Sequence, residues 1–552
     1  MKRLTIICAS GALMLAVGCK DLNLGPKDQV SDASFWKTPE QFRLAANDFY
    51  YGLRGAHNYT DINSDIATGS GTGGEMQSVS NGSYLPTANS SLWTNSYAGI
   101  RGTNYLLEKA AQSGLGSEID RWVGEALFFR AYHYWNLVKS YGGVPLITKV
   151  LDVASPEIFT PRATQQEVID FIIADLDAAT PKLLKQSELS GEEMGRVTQG
   201  AALALKARAA LYQGTWRKYH GEGDPTAMLT AAITAAQQLI ASTEYQLYID
   251  HGPDSAYKFL FILEGDDSKE VILARRYFAG RTVHNWTREL WFNYMIPTKK
   301  LADMYLATDG LPITSSPLFA GYDSLTTEFR NRDPRMAQTF IVPGSAVFQE
   351  SGFQPVFPGF SGSNASRTGY MLRKFLDETV EATQFAGQYD FKEFRYGEVL
   401  LILAEALFER DGLISDGDLG NTINKLRARV GMPSLTNGFV TTNGLDMLRE
   451  IRRERTVELA FEGFRRDDLR RWKTAETEMP QALRGVKFEG TEYEQRDSTL
   501  VIGTDIQVDA GGFVVAEAAT SRQFVVPRHY LDPIPLQQIQ LSRGTLIQNP
   551  GW

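Results

Sequence analysis

The chain has 552 residues, 43% apolar and 22% charged, a balance that supports a large buried core and excludes long disorder. Its formal charge of −9 gives no electrostatic footprint for nucleic acid. The composition also excludes collagen, a coiled coil and a small disulfide scaffold, and at about 150 residues per domain the length corresponds to three or four domains.

The first element in chain order is a leader. Lys2 and Arg3 precede a mostly apolar run from Leu4 to Val17, too short to cross a bilayer but suited to the apolar region of a signal peptide. The run ends Ala16-Val17-Gly18-Cys19, and a small residue before Cys resembles a bacterial lipobox, in which the Cys is acylated and begins the mature protein. That pattern prefers Leu three places before the Cys; here Ala16 stands there, with Leu15 one place further back. Cysteine usage agrees. Cys8 lies in the part that would be removed and Cys19 would carry the lipid, leaving neither a disulfide nor a free thiol. Residues 1–18 are therefore expected to be a lipoprotein signal peptide, and 19–38, with Pro26, an extended leader.

Helical patterns follow. Thr38 as N-cap and Pro39 at the first helical position open a helix over 39–54. Leu92, Tyr97, Ile100, Tyr105 and Leu106 mark one over 91–112. The helix over 117–141 is apolar on nearly every face, which predicts burial. Thr164 with Glu167 three residues on is a capping box opening 164–179. The segments 198–212 and 225–241 are rich in Ala, so their neighbours can approach closely. Further helices are expected over 391–410, 418–429 and 445–472, the last broken near Gly463. Short joins between them predict a mostly α fold of tetratricopeptide-repeat-like helix pairs. Long loop-rich insertions at 55–90, 275–295, 308–390 and 475–528 are the expected seats of function.

Most catalytic chemistry is not signalled. None of the six His residues stands at metal-ligand spacing with another His or with Cys, so no metal site or cofactor is expected. Gly359-Phe360-Ser361-Gly362-Ser363 is not a nucleophile elbow, because its last position is Ser. The run from Gly69 to Gly74 matches G-x-G-x-x-G but neither follows an apolar strand nor opens an apolar helix, so it reads as a loop. Glu454, Glu458 and Glu462 line one helix face beside Arg452, Arg455 and Arg465, which reads as an ion-pair network.

Several segments carry a family resemblance. They are Arg130-Ala131-Tyr132 continuing to Tyr141-Gly142-Gly143-Val144-Pro145, then Gly195-Arg196-Val197-Thr198-Gln199-Gly200, and Arg332-Asp333-Pro334-Arg335. Arg395-Tyr396-Gly397-Glu398 with Ala404-Glu405-Ala406 follows, then Ile423 to Arg429, and Glu454-Arg455 with Phe461-Glu462-Gly463. Pro533-Ile534-Pro535 and Gln548-Asn549-Pro550-Gly551-Trp552 complete the set. Together, in order along the mature chain, they resemble the SusD/RagB family of outer-membrane nutrient-uptake lipoproteins of Bacteroidota. These motifs read as scaffold: Arg130 is expected to stack on rings and to pair with a carboxylate such as Glu405, and the lone His133 reads as core.

The resemblance implies helix pairs in two regions, 39–245 and 246–552, packed as one unit. It implies a lipid-anchored protein facing the cell exterior, docked on a SusC-like TonB-dependent outer-membrane transporter, that captures a glycan, or in some members a peptide, without catalysis. A glycoside hydrolase on a helical scaffold and a structural surface lipoprotein are the alternatives. Sugar recognition calls for exposed rings amid polar side chains. The stretch from Arg275 to Trp291 is the densest such run and lies where the family commonly carries ligand-binding aromatics. Trp286, flanked by polar residues, is the leading candidate, with Tyr277, Arg281, Asn285 and Trp291 beside it. Tyr59, Asp61, Asp65 and Tyr84 in the first long loop form a second set. For each ring the competing reading is a place in the core.

Overall fold

A computed structural model describes residues 32, 34–57, 59–71, 75–347, 354–362, 364–378 and 385–552. The expected signal peptide and Cys19 lie outside the described residues.

The predicted caps form. Thr38 and Thr164 open the helices Pro39–Asn47 and Gln165–Ala179, each with a capping box. At the second, Glu167 N–H donates to Thr164 Oγ1 (3.2 Å) and Thr164 N–H donates to Glu167 Oε2 (2.7 Å), which satisfies two orphan donors of the helix start. Ser90 caps the helix Ser91–Ser113. The helix Asp120–Tyr141 is buried along almost its whole length and stops at Gly142, whose φ of +70° only glycine adopts freely. The Ala-rich helices Gln199–His220 and Thr226–Ala241 bury Ala201, Ala204, Ala207, Ala232 and Ala236 where they face their neighbours.

Each of these helices packs on the next in sequence. The stack runs from Ser91–Ser113 to Thr226–Ala241 and continues through the helices Tyr396–Asp411 and Met447–Glu458. The result is a mostly helical stack with loop-rich insertions. A large buried cluster draws on both the 39–245 and the 246–552 regions, from Phe42 to Leu546. A second cluster, with Tyr257, Phe261, Trp286, Tyr305 and Phe340, underlies the insertions. Short two-stranded antiparallel pairs stitch the insertions together; the one that matters for the site joins Val271–Arg275 to Phe391–Arg395.

Four expectations need correction. Residues 391–395 form a strand rather than the start of a helix, which begins only at Tyr396. All five strand residues are buried, because Lys392, Glu393 and Arg395 find ionic partners inside. The helix expected over 418–429 is two, Asp416–Asn421 and Ile423–Arg429, divided at Thr422. The helix from Gln199 runs to His220, well past Tyr212. Finally, Arg130 pairs bidentately with Asp175 (2.7 Å to each oxygen) and stacks on Phe171, while Glu405 is held by Arg471.

The acidic face of the helix Met447–Glu458 does form an ion network, but its main partners come from far along the chain. Glu458 meets Arg335, Arg395 and Arg429, and Glu462, just beyond the helix, meets Arg395 and Lys374. All of these groups are buried. Removing one partner from such a set leaves an uncompensated charge and costs about 3–5 kcal/mol, so the network fixes how the insertions sit on the helical stack.

Candidate functional site

The predicted ligand stretch begins where the strand Val271–Arg275 ends. A tight hairpin follows, in which Phe278 and Thr282 exchange backbone hydrogen bonds. Its root is held by Asp390, which accepts from Tyr277 N–H (2.8 Å) and pairs with Arg276 Nε (2.8 Å). Burial and the neighbouring Asp266 push the Asp390 carboxyl up to about 7. The chain then bonds back through His284 to Gly387, and the short helix Trp286–Trp291 follows.

That helix turns its residues in opposite directions. Trp286, Thr287 and Leu290 point into the core, while Arg288 and Glu289 lie toward the surface. Asn293, in the left-handed region at φ +57°, reverses the chain and leaves Tyr294 half-exposed.

Trp286 is therefore not an exposed platform. It is 1% exposed and packs edge-on against Tyr59 at 4.9 Å. Polar neighbours in sequence did not mean a polar environment: Trp286 takes the inward face of the short helix with Thr287 and Leu290, and only Arg288 and Glu289 turn toward the surface. Asp61 and Asp65 are likewise internal. Asp61 accepts from the backbone N–H groups of Gly463 and Arg465, and burial raises its carboxyl to about 6. Asp65 forms a bidentate pair with Arg465 (2.7 and 2.8 Å). Both tie the first long loop to the helix Arg465–Arg471. Tyr84 packs against His529 and Trp552 near the C-terminus and places its hydroxyl 3.4 Å from Asp532, on a different part of the molecule. Tyr277 commits its hydroxyl to Ala56 N–H (3.0 Å). Arg281 stands exposed on the hairpin, and Trp291 is partly buried.

What the fold does bring together is a surface patch of six residues. Asn285 Oδ1 accepts from the Phe385 backbone N–H, and Asn285 N–H donates to His57 Nε2 (3.2 Å). His57 Nε2 lies 3.5 Å from Glu289 Oε1, and the other Glu289 oxygen accepts from the Tyr59 hydroxyl. Tyr294 N–H donates to the Glu289 carbonyl (3.0 Å). Burial and Glu289 together raise the Tyr59 pKa, so the phenol stays protonated as a donor. Phe385 is 59% exposed, Tyr294 49%, and the His57 side chain 44%. Two open rings, Tyr294 and Phe385, are thus carried on backbone that bonds to the segment holding the amide and the carboxylate, and the imidazole bonds to the same segment.

Of these residues the sequence singled out Asn285 and Tyr59. It did not single out His57, Glu289, Tyr294 or Phe385. Phe385 lies 100 residues beyond Asn285 and gives no local signal of its own.

A family model described as "SusD family" matches residues 264–552, and a second, "Starch-binding associating with outer membrane", matches residues 53–211. The chain is 24% identical over 508 residues to SusD-like protein P38 of Formosa agariphila, covering 86% of this chain and 93% of that protein. A crystal structure of a SusD-like carbohydrate binding protein from Bacteroides fragilis superposes with a TM-score of 0.76 at 23% identity, over 93% of this chain and 99% of that one. A second SusD-like protein of Bacteroides fragilis gives a TM-score of 0.76 at 25% identity, over 96% of this chain and 100% of that one. With one family model matching more than half its length, over the stretch that holds the aromatic insertion and the later helices of the stack, the chain belongs to the SusD family.

Proposed function

We propose that this protein is a surface lipoprotein that captures a glycan at the His57–Tyr59–Asn285–Glu289–Tyr294–Phe385 patch and hands it to a SusC-like TonB-dependent transporter. The carrying observation is the patch itself: two open rings, on separate insertions, whose backbone N–H groups bond to the segment that carries the amide and the carboxylate. Ring faces stack on the apolar faces of sugars while the carboxylate, amide and imidazole take the hydroxyls. The carbohydrate-binding description of the Bacteroides fragilis neighbour supports this reading. The role is binding without catalysis: these six residues supply one carboxylate, Glu289, whereas glycoside hydrolysis uses a pair flanking the bond. The anchor in this reading is an acyl group on Cys19, which holds the protein to the outer membrane.

The test uses the soluble form lacking residues 1–19, titrated calorimetrically against a panel of oligosaccharides and short peptides, with released reducing ends measured in parallel. Saturable binding of an oligosaccharide with no new reducing ends is the expected result. Turnover would establish the hydrolase instead, and binding confined to peptides would replace the glycan with a peptide cargo.

A further inference from the structure

A groove of about 320 Å³ lies beside the strand Val271–Arg275, at the small end of the usual range for small-ligand sites. Its walls come from residues 186–187, 194–195, 243–245 and 266–269. The middle of the strand, Ile272 to Ala274, is buried in the core, so the groups on offer are the side chains of the walls. The walls are tied to one another. The Ser187 N–H and hydroxyl donate to the Glu244 carboxylate (2.8 and 2.9 Å), and Gln246 N–H donates to the Lys269 carbonyl (3.2 Å). Glu244 and Lys269 therefore stand on adjoining walls of one groove.

The charged side chains lining the groove are Glu244, Asp266, Asp267, Lys269 and Arg276. Asp266 is held by Lys392, and Asp267 pairs with Arg276. That leaves Glu244 and Lys269. Among the described residues no cation stands within ion-pair distance of Glu244, whose only partner is the neutral Ser187. Lys269 is exposed and meets no carboxylate among the described residues. The two do not reach each other. Beside them the Gln186 amide has no partner among the described residues, and the Ser268 hydroxyl is buried without one. Met194, 40% exposed, adds apolar surface.

This set of groups selects its ligand by charge. A lone anion is drawn to Lys269 and repelled by Glu244, and a lone cation meets the reverse. A zwitterion satisfies both. An extended dipeptide is about 7 Å long and holds its own charges apart. Its ammonium donates to Glu244, its carboxylate accepts from Lys269, and its amide finds Gln186 and the Ser268 hydroxyl. A neutral sugar uses neither charge, and Tyr245, buried with its hydroxyl on Thr198, gives it no open ring to stack on.

We propose that this groove binds a small zwitterion, a free α-amino acid or a dipeptide, between Glu244 and Lys269, at a site separate from the aromatic patch. The inference does not depend on the glycan reading, since none of the six patch residues lines the groove.

The probe is alanyl-leucine, titrated to about 10 mM against the soluble form lacking residues 1–19, because two solvent-accessible ion pairs give an affinity in the millimolar range. Saturation-transfer NMR, which reads ligand protons close to the protein, is expected to show saturable binding. The N-acetylated dipeptide and the dipeptide amide each lack one charge and are expected to bind about three- to tenfold more weakly. Lys269→Ala is expected to weaken alanyl-leucine by the same factor at an unchanged melting temperature, and to bind the free dipeptide and its amide equally. Absence of saturable binding, equal binding of the blocked and free dipeptides by the wild-type protein, or wild-type affinity in Lys269→Ala would each overturn the proposal. Displacement of the dipeptide by an oligosaccharide bound at the patch would overturn the separateness of the two sites and with it the proposal. The blocked dipeptides are compared on the wild-type protein, so that result holds even if the variant does not fold.

Discussion

Trp286 and Tyr294 stand eight positions apart and have opposite roles. Trp286 fills the second core cluster, so Trp286→Ala is expected to cost about 3–5 kcal/mol, the usual range for emptying a buried aromatic site, and to lower the melting temperature markedly. Tyr294→Ala removes a half-exposed ring and is expected to leave the melting temperature nearly unchanged; differential scanning calorimetry of the two variants separates the roles. The same scale governs acid stability. Burial alone would raise the Glu405 carboxyl, but the Arg471 and Arg455 guanidiniums outweigh it and hold it down at about 2, against an ordinary value of 4.5. A carboxyl depressed in the folded state contributes stability that is complete above about pH 4.5 and is lost as the pH falls toward 2. Glu405→Gln is therefore expected to destabilise the protein by about 3–5 kcal/mol near pH 7, where it breaks a buried pair. Urea titrations at pH 7 and pH 3 are expected to show that penalty shrinking toward the acid end; an equal loss at both would mean Glu405 is not ionised in the fold.

At the scale of elements, the long helices were legible and the insertions were not. The caps at Thr38 and Thr164, the stop at Gly142 and the buried 120–141 helix follow from local signals: a hydroxyl at the N-cap, a glycine at the C-cap and apolar residues on every face. The strand at 391–395 had no such signal, since its alternation is hidden by Lys392, Glu393 and Arg395, whose buried partners lie far away in sequence. The candidate patch was half legible for the same reason. Asn285 and Tyr59 sit in stretches rich in polar and aromatic residues, whereas Phe385 joins them only through the Asn285 contact. One helix-packing detail carries its own prediction. Gly99 gives His133 its place: a Cβ there would fall 2.1 Å from His133 Nε2, and one at Gly52 would fall 2.8 Å from His133 Cε1. The enclosed imidazole loses its hydration, and burial lowers its pKa to about 4, so it stays neutral. Gly99→Ala is expected to destabilise the 91–113/120–141 pair by about 1–3 kcal/mol through overpacking, read as a lower denaturation midpoint at unchanged slope. An unaltered midpoint would mean that the two helices separate without cost.

For the whole molecule, the ionic core around Glu458 and the paired strands at 271–275 and 391–395 clamp the insertions to the helical stack, which keeps the patch on a rigid support. A capture protein that hands its ligand on needs a stable partner. The tagged full-length protein is expected to bring down a SusC-like TonB-dependent barrel in mild detergent, through an interface of about 2,000 Å² or more. Recovery of the protein alone under those conditions would count against delivery while leaving capture intact. Labelling with a fatty-acid probe is expected to mark the wild-type protein and to fail on Cys19→Ala.

The patch itself is tested most directly by calorimetric titration of the soluble protein with the tightest oligosaccharide of the panel, comparing wild type with Tyr294→Ala and Phe385→Ala. Each variant loses one stacking ring, a loss of about 1–3 kcal/mol on the scale of base–aromatic stacking, or roughly ten- to a hundredfold in affinity. The account predicts that both variants weaken binding by that factor at an unchanged melting temperature. Wild-type affinity in both would contradict it and place the ligand elsewhere on the molecule.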